Sequence, residues 1–142
     1  MKPYLYLITF IILTSCSKNS VDNKNCKFLL DVGVNVSINL NLPQYNQLNS
    51  IGNSVYIANV GNGGVIVTNA GSGFFAWDAA DPNHATSSCS IVIGSGLEGT
   101  CGCTDENKYS FVTGQPLENT ALQCGLKNYR VEDNGSSLLV FN

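Results

Sequence analysis

The chain has 142 residues, 44% of them hydrophobic and only 12% charged, with a formal net charge of −3 and a pI near 4.8. That length suits one domain with a core of its own, and its surface must be built largely from Asn, Ser, Thr and Gly. Seven basic residues with no run among them give phosphates no footprint, which argues against nucleic acid as a partner.

Residues 1–15 differ in kind from the rest. Lys2 supplies a positive start, residues 4–13 (YLYLITFIIL) an apolar stretch too short for an ordinary membrane span, and residues 13–16 (LTSC) small residues before a cysteine. This resembles a bacterial lipoprotein signal. The resemblance implies cleavage before Cys16, a diacylglycerol on its sulfur, and export from the cytoplasm to a membrane-anchored position. Ser17 in place of Asp after that cysteine lacks a familiar inner-membrane retention signal, which favours the outer membrane. Residues 17–25 (SKNSVDNKN) are polar and aperiodic, so residues 16–25 are expected to be a lipidated cysteine and flexible tether. The folded domain is expected over residues 26–142.

No later segment has sustained helical spacing. Val32, Val34, Val36, Ile38, Leu40 and Leu42 alternate with Gly, Asn and Ser, which predicts one long half-buried strand. Residues 43–49 (PQYNQLN) fit either a single helical turn or a loop. Short β-rich runs follow at residues 55–58 (VYIA), 65–68 (VIVT) and 74–77 (FFAW), punctuated by glycine clusters at 61–64 and 71–73. Residues 90–93 and 97–100 flank a Gly-Ser-Gly turn at 94–96, and residues 129–132 and 138–141 flank a turn containing Asn134 and Gly135. The class is all-β and antiparallel, a sandwich or barrel.

One group of segments carries a specific resemblance. Residues 77–84 (WDAADPNH), 101–104 (CGCT), 109–111 (YSF), 113–117 (TGQPL) and 126–131 (LKNYRV) resemble the Rieske domain, over about residues 55–141. That family carries Cys-x-His in a first loop and Cys-x-x-His in a second, holding a [2Fe–2S] cluster by two thiolates and two imidazoles. Carried over position by position, the ligand equivalents are Asp81 and Asn83 in the first loop and Cys101 and Thr104 in the second. Only Cys101 keeps a cluster-ligating type. His84 is the one histidine in the chain, so a pair of imidazoles cannot be assembled from a single copy. A one-residue shift would make His84 a residual ligand; as a residue after Asp-Pro-Asn it reads more simply as an exposed loop histidine. The resemblance thus implies a Rieske-like frame with no cofactor expected, and [2Fe–2S] held through atypical ligands as the alternative.

With Cys16 assigned to lipid, Cys26, Cys89, Cys101, Cys103 and Cys124 remain, enough for two disulfides and one leftover thiol. Cys89 and Cys101 are equidistant from Ser95, so a regular hairpin centred there would oppose them at about 4.5–5.5 Å between Cα atoms, within disulfide range. The family resemblance implies instead a bridge between the loops, Cys89 to Cys103. Cys26 and Cys124 are left as a second pair with no local geometry to support it. Cys101-x-Cys103 is too tightly spaced for a usual structural zinc knuckle and has no second pair in sequence, so no metal is expected.

Other chemistry finds no carrier. Asp105 and Glu106 are adjacent and should diverge into solvent, and Ser87 or Ser88 would need His84 as base with nothing to orient it. Trp77 and Tyr109 read as core aromatics beside the two loops. The expectation is a non-enzymatic binding or structural module, whose partner is an envelope protein or ligand left unidentified, with electron transfer as the alternative.

Overall fold

Val34, Ile38 and Leu40 are buried and Val36 is half-buried, as alternation requires, but the strand they build is short. In the computed structural model, which describes residues 26–142, β1 runs only over Asn35–Asn39. It stops because the chain turns at Leu42, whose N–H reaches back to the Asn39 carbonyl at 3.1 Å, and Pro43 brings no N–H to a ladder. Leu42 is accordingly exposed, and residues 43–49 contain one 3₁₀ turn, Asn46–Asn49, that buries Leu48. The leader at residues 1–15, Cys16 and the tether to residue 25 lie outside the described residues.

The remaining strands are β2 (Ser54–Ile57), β3 (Val65–Asn69), β4 (Phe74–Asp78), β5 (Val92–Ser95), β6 (Glu98–Cys101), β7 (Lys108–Ser110), β8 (Asn128–Asp133) and β9 (Ser137–Phe141). All pair antiparallel, in a six-stranded sheet of order β1-β9-β8-β4-β3-β2 and a small sheet of order β5-β6-β7. The expected all-β, Rieske-like class is the one observed.

Period-two alternation along β3 and β4 sorts their side chains into two cores. Val65, Val67 and Ala76 join Ile38, Leu48, Val55, Ile57, Tyr129, Leu138 and Val140 in the larger one. Because β1 and β2, the two edges of the sheet, both contribute to it, the sheet must curl around that core. Ile66 and Trp77 point the other way, into a second core with Val92, Cys101, Cys103, Tyr109, Phe111 and Leu126 of the small sheet and its loops. Trp77 Nε1 donates to the Phe111 carbonyl at 2.7 Å. The indole also lies against Gly114, where φ is +72° and an added Cβ would overlap the ring, so the Thr-Gly turn needs its glycine on both counts.

The β5–β6 hairpin corrects one expectation. Val92, rather than Cys89, faces Cys101, and Ser95 faces Glu98, so the turn is Gly96-Leu97. Gly96 has φ +72° and Leu97 does not, the pattern of a type II′ turn, and this moves the centre of the hairpin past Ser95. Cys89 is thereby displaced from Cys101 and instead bonds Cys103, with Cα atoms 4.8 Å apart. Cys26 bonds Cys124, and Cys101 is the free thiol among the described residues.

Candidate functional site

Two loops meet at one end of the second core. The first, residues 81–90, leaves β4 through Ala79 and Ala80; the second, residues 102–107, joins β6 to β7. The Val92 N–H donates to the Ala79 carbonyl at 2.7 Å and Asp81 N–H to the Ser90 carbonyl at 2.7 Å, closing the first loop at its base. Gly102 N–H donates to the Ile91 carbonyl at 3.1 Å, and the Cys89–Cys103 bond ties the end of the first loop to the start of the second.

The entry to the first loop is set by Asp78, which is fully buried. Its Oδ1 accepts from the backbone N–H of Gly63 and Ala80 at 3.0 and 2.9 Å, while Oδ2 accepts from Asn62 and, at 2.6 Å, from the Tyr129 hydroxyl. Burial and then the Asp78 carboxylate push the Tyr129 hydroxyl well above its ordinary range. This clamp fixes where β4 ends and hence where Asp81 begins.

Asp81 is also fully buried, and its carboxyl group is the hub of the site. Oδ1 accepts from the Tyr109 hydroxyl at 2.6 Å and from the backbone N–H of Asn83 at 2.8 Å; Oδ2 accepts from Asn107 Nδ2 at 3.1 Å. Asn83 donates from Nδ2 to the Tyr109 oxygen at 2.8 Å and to the Cys124 carbonyl at 2.9 Å, stitching a third segment onto the first loop. Tyr109 is held protonated far beyond its usual range, first by burial and second by Asp81. Cys101, 2% exposed, has its thiol pushed up to about 11, chiefly by burial and further by its contact with Asp81, against a lowering backbone hydrogen bond from Cys103.

His84 does not hang free in the loop, as the plain loop reading expects. Its Nε2 lies 2.6 Å from Asp105 Oδ2 and 4.0 Å from Asp81 Oδ2. Asp105 in turn accepts from Asn107 Nδ2 at 2.7 Å, so it is an orienting group and not merely a solvated carboxylate; the adjacent Glu106 diverges to solvent at φ +48°. A ring nitrogen of His84 and the sulfurs of Cys101 and Cys103 all lie within 4.8 Å of one another. Thr104 sits exposed on the second-loop turn.

The ligand-equivalent positions therefore come together only in part. Asp81, Asn83 and Cys101 share one buried network, His84 stands at its rim, and Thr104 faces solvent. Sequence reasoning did not single out Asn107 or the hydroxyl role of Tyr109. A buried tyrosine must place its O–H somewhere, which is the signal that points to Tyr109; no comparable signal marks Asn107.

A Rieske cluster does not fit this donor set. The group wants two thiolates and two imidazoles. Both Asp81 oxygens are already occupied by donors, the Asn83 amide is committed to Tyr109 and Cys124, and the Cys103 sulfur is spent in a disulfide. Cys101 alone has the required type at a ligand position.

The curled sheet, the small sheet and the paired disulfide-linked loops define a Rieske-like domain. Among solved structures the chain is similar to the ferredoxin of carbazole 1,9a-dioxygenase from Nocardioides aromaticivorans IC177, at 18% identity and a TM-score of 0.50 over 75% of this chain and 96% of that one. It is also similar to a chain assigned as the small subunit of an NADH-dependent nitrite reductase from Mycobacterium tuberculosis, at 15% identity and a TM-score of 0.46 over 79% of this chain and 97% of that one. No protein-family model and no curated protein matches the chain.

Proposed function

We propose that this chain is a lipid-anchored Rieske-like domain of the bacterial envelope, without a functional cluster, that acts as a non-enzymatic binding or structural module. One observation carries the reading: the position equivalent to a cluster thiolate is Asp81, whose buried carboxyl group is engaged by Tyr109, Asn83 and Asn107 and so serves the protein's own framework. A group that ties the two loops together through three donors cannot also bind iron without leaving donors unpaired, which costs about 1–3 kcal/mol for each. Two disulfides suit an oxidising compartment, in keeping with export and with outer-membrane attachment through Cys16. The partner is an envelope protein or ligand recognised at the two loops.

A second reading is electron transfer through a [2Fe–2S] cluster on atypical ligands. The approach of His84, Cys101 and Cys103 favours it, as does the likeness to a chain named a ferredoxin. Against it stand the bonded state of Cys103 and the buried, tightly protonated thiol of Cys101. Protein produced with iron and sulfide available decides between the two. The first reading expects a colourless protein without stoichiometric iron; bands at roughly 400–600 nm with two irons per chain, as for a [2Fe–2S] centre, would falsify it.

A further inference from the structure

The corner occupied by His84, Cys101, Cys103 and Cys89 has a capacity that its oxidised form hides. A ring nitrogen of His84 and the sulfurs of Cys101 and Cys103 are mutually within 4.8 Å, and the Cys89 sulfur is bonded to that of Cys103. A tetrahedral zinc site, with Zn–S about 2.3 Å and Zn–N about 2.0–2.1 Å, sets its ligand atoms roughly 3.5–3.8 Å apart. The three clustered atoms need close by only about 1 Å to meet that demand, the scale of a side-chain rotation. Sequence spacing conceals the set, because two ligands come from the first loop, as His84-x₄-Cys89, and two from the second, as Cys101-x-Cys103.

We propose that opening the Cys89–Cys103 disulfide converts this corner into a mononuclear Cys₃His site for a thiolate-preferring divalent metal ion, with Cys89, Cys101, Cys103 and His84 as ligands. While the bond is closed, two of the three sulfurs carry no thiolate and the site has two strong ligands. A dithiol reductant opens it, giving two electrons and two protons to the bridge and leaving as its own disulfide. The metal then takes the sulfurs as thiolates, and their protons pass to solvent. Cys89 lies exposed on its loop, its sulfur 3.3 Å from the Ser87 hydroxyl, and it must swing inward once the bond is broken. Cys101 and Cys103 are 2% and 7% exposed and supply a dry floor. Asp105 lies 2.6 Å from His84 Nε2, so with Nδ1 as the ligating nitrogen it is a carboxylate of the kind that fixes the orientation of a ligating imidazole. The inference does not depend on the cluster-free reading, since one ion without sulfide suffices.

Cobalt(II) titration of the full chain tests it. After treatment with a phosphine, which reduces the bridge and becomes its oxide by taking oxygen from water, the protein should bind one Co²⁺ with thiolate charge-transfer and tetrahedral ligand-field bands, displaced by one Zn²⁺. The unreduced protein should bind at least about 100-fold more weakly. Cys89→Ser opens the bridge without reductant and leaves Cys26–Cys124 closed; it should bind Co²⁺ unreduced, and adding His84→Ala should abolish the tetrahedral bands. Asp105→Asn should weaken Co²⁺ binding by the reduced chain about 10–100-fold while leaving one ion bound. The proposal is overturned if neither the reduced chain nor Cys89→Ser shows thiolate-to-cobalt bands. It is equally overturned if those bands survive Cys101→Ser undiminished, or vanish only when Cys26 and Cys124 are replaced.

Discussion

A carboxyl group with no solvent exposure must find its donors inside the protein, and Asp81 finds three, one in its own loop and two at the end of the second loop. Asp81→Ala leaves the Tyr109 O–H and one N–H of the Asn107 amide without their acceptor, so it should destabilise the domain by on the order of 3 kcal/mol, whereas Tyr109→Phe, which removes one hydrogen bond to the carboxylate, should cost about 1.5–3 kcal/mol. Urea unfolding measures both, and a neutral Asp81→Ala would mean that the hub is ornamental. Cys101 offers a titration. Its folded-state value is raised from 9.0 to about 11, so the native protein keeps a proton that the unfolded chain releases near pH 9. The stability this confers is complete below pH 9 and is lost as pH climbs toward 11, with a slope of at most about 1.4 kcal/mol per pH unit. The difference in ultraviolet thiolate absorbance between the wild type and Cys101→Ala, which cancels the tyrosines, should accordingly rise near pH 11; a rise near pH 9 would show an ordinary, solvated thiol. The identities of Asp81, Asn83, His84 and Cys101 are legible in the sequence because they sit at motif positions. Their contacts are not, since Tyr109 and Asn107 reach Asp81 from 28 and 26 residues away, and linear spacing says nothing about where those side chains turn.

Most strands and their order follow from alternation, β-rich runs and glycine punctuation, but β7 and the register do not. The run from 94 to 96 has two glycines that could each begin a turn, and the choice of Gly96 over a centre at Ser95 decides which cysteine Cys101 faces. A shift of the turn by one and a half residues thus separates a Cys89–Cys101 bridge from the Cys89–Cys103 bridge that forms. The second bridge, Cys26 to Cys124, is legible in the sequence only as the pair left over, because it joins residues 98 apart and no local geometry relates them. That distance has an energetic consequence. In the chain-entropy description, closing a loop of 14 residues contributes about 3 kcal/mol and closing one of 98 about 4.7 kcal/mol. Cys26→Ser should therefore lower stability by about 1.7 kcal/mol more than Cys89→Ser, each measured by urea unfolding without reductant and without added metal. Equal losses would show that native-state contacts, and not the unfolded chain, govern both bridges.

At the scale of the whole molecule the sequence discloses an all-β class but not two cores, because which face of β3 and β4 meets the curled sheet and which meets the small one depends on partners more than ten residues away. The proposed lipid anchor belongs to this scale as well. Among the described residues no helix is long and apolar enough to cross a membrane. In the proposed lipoprotein reading the hold comes from acyl chains on Cys16, each buried CH₂ contributing about 0.8 kcal/mol, with more than one chain needed for a lasting hold. Cys16→Ala in the full chain removes the acceptor sulfur and, with it, the substrate for leader removal. The variant should take up no labelled fatty acid and should run as the longer, unprocessed precursor, while the wild type is labelled and shortened. A Cys16→Ala protein that is still trimmed to the wild-type length would instead identify the leader as an ordinary secretory signal and the cysteine as incidental to it.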